Sequence, residues 1–260
     1  MMDTDQMTAA ESVSQGESPA RRLPSAEGPS WSYTERGARR LLIALVVIEL
    51  SLMAVYLFTQ LVIPSWGLLG SLFNVGLDQS VPSWFSTIQL AAVGATFLLA
   101  AHSNHSAIRL PAWLLVAAAV IGFYLSADEG AGIHERVTSA VDDADLNWML
   151  FKDNHGGWIA VYAIAVVLAV ALASKWLRLL WSECRYEAVI GLVGVVIYLV
   201  GGAVLEAVGY VVDPERGTVL ETTLTAIEEF MEMAGVSIVL YAALLLALRV
   251  GTDPAVGPRP

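Results

Sequence analysis

The sequence predicts an all-α, polytopic membrane protein: six transmembrane helices in one bundle, with both termini cytoplasmic. Its composition, its long apolar runs and the sidedness of its basic residues predict this. Hydrophobic residues make up 56% of the 260 positions and charged residues 15%, at a mean hydropathy of +0.62. Soluble domains average far lower in apolar content. A helix needs about 20 apolar residues to cross about 30 Å of hydrocarbon. Six stretches qualify, at about 41–63, 84–101, 110–127, 158–180, 188–212 and 220–248. Helices are required, because isolated strands would leave backbone groups unpaired in lipid.

Residues 34–250 form the expected transmembrane domain, between a tail at 1–33 and a short C-terminal tail at 251–260. The first tail is rich in Ser, Glu, Asp, Gly and Pro with few large apolar residues, a composition expected to be disordered. Arg39–Arg40 before the Leu41–Val47 run resembles the start of a secretory signal. The run is too long for a signal core and lacks a small-x-small cleavage site, so span one is expected to stay as an anchor. Cys184 is the single cysteine, which excludes a disulfide framework and a thiolate metal site.

The six spans divide the basic residues unequally. Arg21, Arg22, Arg36, Arg39, Arg40, Arg109, Lys175, Arg178, Arg185, Arg249 and Arg259 fall on one side, 11 of the 14; Arg136, Lys152 and Arg216 fall on the other. The richer side is expected to be cytoplasmic. The opposite face holds most of the excess acid behind the net charge of −11, including Asp78, the Asp142–Asp145 run, Asp153, Asp213, Glu215 and Glu221. Such a face excludes nucleic acid as a partner and attracts cations. Trp66, Trp84, Trp148 and Trp158 near this boundary, with Trp113, Trp176 and Trp181 near the other, read as interfacial belts.

Solvation accounts for acids in loops but not for acids within spans, where an ionisable group is costly unless paired, protonated or facing a cavity. Asp128 is 18 residues from Leu110 and Glu206 is 18 from Ala188, each roughly 27 Å from the cytoplasmic end. Glu232 and Glu228 are 16 and 20 residues from Leu248, or about 24 and 30 Å. Three helices thus deliver carboxylates to one level just under the outer interface. On span six, Glu221, Thr225, Glu228, Glu232 and Gly235 share one face, and Glu229 lies three residues from Glu232. On span five, Gly201 and Gly202 precede Glu206, small residues that permit close helix contact. Span three ends in Asp128-Glu129-Gly130-Ala131-Gly132-Ile133-His134-Glu135, whose glycines leave helix continuation open. Glu49 in span one lies about 12 Å from the cytoplasmic edge, away from this level, either paired with a neighbouring helix or marking a route across.

The expected metal ligands are Asp128, Glu129, His134, Glu135, Glu206, Glu228 and Glu232. The expected cofactor is a divalent metal (Ca, Mn, Fe or Zn); one His among many carboxylates suits Ca, Mn or Fe best. Neither the His-Glu-x-x-His zinc motif nor the Glu-x-x-His pair of di-iron bundles is present.

Three stretches are familiar together: Asp78-Gln79-Ser80-Val81-Pro82-Ser83-Trp84-Phe85-Ser86, Asp-Glu-x4-His-Glu from Asp128, and Glu-Glu-x-x-Glu-Met-x-Gly from Glu228. With them the chain resembles an uncharacterised family of prokaryotic six-span membrane proteins over about residues 36–248. The resemblance implies topology and site location without supplying chemistry. The loop at 137–157 departs most from that pattern, so no role carries over to His155. Alkaline ceramidase-type hydrolases need three His around zinc, and prenyl-protein proteases need a His after the Glu-Glu pair; neither pattern transfers.

Three functions fit. The first is a divalent-metal-dependent membrane hydrolase acting on a lipid-like substrate, with Glu232 and Glu229 catalytic and Ser86 as nucleophile or orienting group, unless Ser86 is simply a helix N-cap. The second is a cation- or proton-coupled transporter in which Glu206 and Glu232 alternate between protonated and ion-bound forms. The third is a non-catalytic sensor or assembly protein. The expected location is the cell membrane, multi-pass, in contact with lipid.

Overall fold

Several spans begin or end where the sequence carries a cap, a proline or a left-handed residue. The computed structural model describes residues 34–63, 67–77, 79–103, 110–143 and 157–251. The tails, His105, Arg109, Lys152, Asp153 and His155 lie outside the described residues, as do Asp78, Trp66 and Trp148. Helix α1 (Glu35–Leu61) is capped by Thr34, whose Oγ1 accepts from the Gly37 N–H at 3.2 Å. A short α2 (Gly67–Leu72) follows, then α3 (Val81–His102). Ser80 caps α3, accepting from the Ser83 N–H at 3.2 Å, and Pro82 sits in the first turn where no donor is needed. Helix α4 (Ala112–Ala131) stops at Gly132, whose φ of 58° is left-handed and suits glycine. A separate α5 (Ile133–Asp143) then begins, so Asp128 and Glu135 do not share one continuous helix.

Helix α6 (Gly157–Glu183) and α7 (Arg185–Leu199) meet at Cys184, which is fully buried. Burial pushes its thiol up to about 11, leaving it unreactive. The fifth span continues from α7 through a π-helical segment (Val200–Leu205) into α8 (Glu206–Val212), ended by Asp213 at φ 43°. The last helix, α9, runs from Val219 to Gly251. Six helices among the described residues are long and apolar enough to cross a membrane: α1, α3, α4, α6, the α7–π–α8 unit and α9. The chain is therefore a multi-pass helical membrane protein, with no strand among the described residues.

The bundle is organised about α9. Of its most apolar stretch 56% is buried, against 6% for that of α6. Helices α1, α3 and α7 all pack on α9, and α4 packs on α3. Two glycine contacts set the closest approaches. A Cβ on Gly122 would meet the Gly94 nitrogen at 2.7 Å, and one on Gly235 would meet the Tyr198 nitrogen at 2.6 Å. Backbone touches backbone at both points, as small residues allow in lipid. Between these contacts, Leu90, Val93, Val236 and Leu240 fill the junction of α3 and α9.

Gly235→Ala should therefore cost about 1–3 kcal/mol through forced separation of α7 and α9. Gly209, with nothing within 4 Å of an added Cβ, should accept Ala without loss. Thermal unfolding in detergent micelles compares the two.

Candidate functional site

The π-helical segment places a glycine pair where a side chain would collide with Glu232. A Cβ on Gly201 would lie 2.9 Å from Glu232 Cγ, and one on Gly202 would lie 3.1 Å from both Cδ and Oε1. The carboxylate of Glu232 thus rests on bare backbone of the fifth span. A π segment inserts an extra residue into a turn and recurs at functional sites; here it turns the two glycines toward α9. Glu232 is half-buried.

The other predicted acids gather around it. Glu229, Glu129, Glu228 and Glu206 all lie within electrostatic reach of Glu232, joining α9, α4 and α8 at one level. Glu228 and Glu206 also line an open cleft of about 320 Å³, together with Tyr210, Arg216, Glu221 and Thr225. Glu206 Oε1 is held by the indole N–H of Trp158 at 3.1 Å and by the Tyr210 hydroxyl. Glu221 serves the start of α9: its Oε2 accepts from the Gly217 N–H at 3.2 Å, while Thr218 Oγ1 accepts from the Glu221 N–H at 3.3 Å. That is a local capping arrangement.

Asp128 is buried and has two tasks. Its Oδ1 accepts from the His134 backbone N–H at 2.7 Å, capping α5, and sits 3.4 Å from His134 Nδ1. The His134 ring packs edge-on against Trp158 at a centroid distance of 5.4 Å. Glu206 acts electrostatically on His134, so the Asp128–His134 pair and the Glu206 group are neighbours. Glu135 is exposed. Among the described residues, no three His, Cys, Asp or Glu side chains are grouped as a ready-made metal site; the acids converge without being aimed at one point.

Ser86 departs from its expected cap role: Ser80 caps α3, and Ser86 is buried inside the helix. Among the described residues no hydrogen bond joins it to Glu229 or Glu232. The sequence reading also missed participants. Trp158 looked like an interfacial belt residue but holds Glu206, and Tyr198 lies near Glu232, Glu129 and Asp128. A second groove of about 650 Å³, lined by apolar residues and His102 on α3 and α4, lies apart from the carboxylates.

The hydrogen bond to Asp128 holds His134 above its ordinary value of 6.5, with burial opposing and Glu206 and Glu135 adding to the rise. A raised folded value means the pair stabilises fully below pH 6.5 and loses that contribution as pH rises through the folded value. Histidine NMR should show an elevated titration midpoint for His134 that falls toward its ordinary value in Asp128→Asn.

Residues 40–248 match the family model described as Domain of unknown function (DUF8692). No curated protein and no solved structure matches the chain. The match covers nearly all of the six crossings and every acid of the site, and the chain belongs to this DUF8692 family.

Proposed function

We propose that the protein is a cation- or proton-coupled membrane transporter whose binding group is Glu232. One observation carries the reading: Glu232 rests on the Gly201–Gly202 backbone, within electrostatic reach of the like charges of Glu206 and Glu228. Among the described residues no Lys or Arg pairs with Glu206, Glu228 or Glu232. Like carboxylates in a low-dielectric setting repel strongly, and beyond Arg216 in the cleft and His134 beside Glu206 they call for further positive charge. A cation or a proton from the adjoining cleft supplies it, and Glu232 and Glu206 exchange one for the other. The divalent metals expected from the donor set are the heavier cargo of this reading, with Glu206 and Glu228 within electrostatic reach of Glu232.

The sidedness of the basic residues supports an outward-facing cleft in the cell membrane, with both termini inside. We take Asp-Glu-x4-His-Glu and Glu-Glu-x-x-Glu-Met-x-Gly as the marks of the family's site. The hydrolase reading is second, favoured by the Asp128–His134 pair, since a carboxylate that orients an imidazole is the arrangement a general base uses.

Purified protein in liposomes should move protons or Na, K, Mg, Ca or Mn ions, and Glu232→Gln should reduce that flux to the level of empty liposomes. Absence of flux for all of these, with ester hydrolysis that is lost in His134→Ala, would replace transport with the second reading.

A further inference from the structure

Away from the outer cluster, three polar side chains from three spans meet in the core. Glu49 on α1 and Ser237 on α9 are 0% exposed, and Gln89 on α3 is 3% exposed. Gln89 Nε2 donates to Glu49 Oε1 and to Ser237 Oγ, both at 2.8 Å, and Ser237 Oγ donates to Glu49 Oε1 at 2.5 Å. The available donors are now spent: two from the amide and one from the hydroxyl. All the hydrogen bonds that reach the carboxylate fall on one oxygen. Glu49 Oε2 and Gln89 Oε1 are fully buried acceptors with no donor among the described residues.

Two unpartnered oxygens on one buried triad call for a positive charge. The charged groups of the helices packed here are Glu35, Arg36, Arg39 and Arg40 on α1, His102 on α3, and Glu221, Glu228, Glu229, Glu232 and Arg249 on α9. Among the described residues none of them forms an ion pair with Glu49, whose hydrogen bonds come from Ser237 and Gln89. Glu49 therefore has no ion-pair partner among the described residues to hold an ionised form in the core. A proton is the one cation that needs no additional ligands. Bound to Oε2 it removes the charge and turns one orphan acceptor into a donor.

We propose that the Glu49–Gln89–Ser237 junction is a second, membrane-embedded cation site, separate from the Glu232 cluster, and that it holds one proton on Glu49 Oε2. The step is simple: the carboxylate takes a proton from water and becomes a neutral carboxylic acid, with no other bond made or broken. This proposal does not rest on the transport reading, since a proton could be stored here whether or not Glu232 carries a cation.

Infrared spectroscopy of the full chain in lipid tests it. The wild type should show a protonated-carboxyl C=O stretch that disappears in Glu49→Gln, an isosteric change that keeps the polar contacts. Ser237→Ala should retain that band but shift it, because the acid loses a hydrogen bond. Glu232→Gln should leave it in place, which separates this site from the outer one. If Glu49→Gln instead removes carboxylate stretches and no C=O band, or if adding Na abolishes a band sensitive to Glu49→Gln, the site holds a metal cation or none and the proposal fails.

Discussion

The structure depends on how closely the fifth span approaches α9. In lipid, apolar side chains gain little by leaving one greasy surface for another, so helices associate through close packing and polar contacts. Here Gly194 and Gly235 remove the side chains that would hold α7 and α9 apart, leaving Gly235 against the Tyr198 backbone. One turn further along, Gly201 and Gly202 extend the same seam to Glu232. The carboxylate lies on the backbone because the glycine seam runs past it.

That seam explains why acids from three spans meet. Once α9 and the fifth span are in contact, Glu228 and Glu206 face one cleft and Glu232 lies behind them. Helix α4 brings Glu129 to the same level, and its left-handed stop at Gly132 turns the chain so that His134 returns to Asp128. Trp158 at the start of α6 closes the arrangement by touching both His134 and Glu206. Like charges are concentrated by geometry, and an exchangeable positive charge is what would hold them there.

Much of this was legible in the sequence, for identifiable reasons. The six crossings follow from run length, and helix rise alone put Asp128, Glu206, Glu228 and Glu232 at one level. The helices extend beyond the apolar runs, as α1 does from Glu35, because a helix does not stop where hydrocarbon does. The identity of each acid's neighbours was less accessible. Gly201 and Gly202 read as surroundings of Glu206, yet the π segment turns them toward Glu232, and residue spacing does not reveal an inserted residue in a turn. Ser86 could pass for a cap because the true cap, Ser80, lies six residues earlier on a similar Ser-rich stretch. The partners of Glu49 did leave a signal: Gln89 and Ser237 are polar residues inside apolar runs, and a buried acid needs such partners.

The claim that Glu232 exchanges a positive charge can be tested directly with a hydrophobic carbodiimide, which attacks protonated carboxyls in apolar surroundings. Labelled sites would be mapped by mass spectrometry of protein in lipid. The account predicts modification at Glu232 that declines as pH rises or as a competing cation is added. An unlabelled Glu232, or labelling indifferent to both pH and cations, would contradict it.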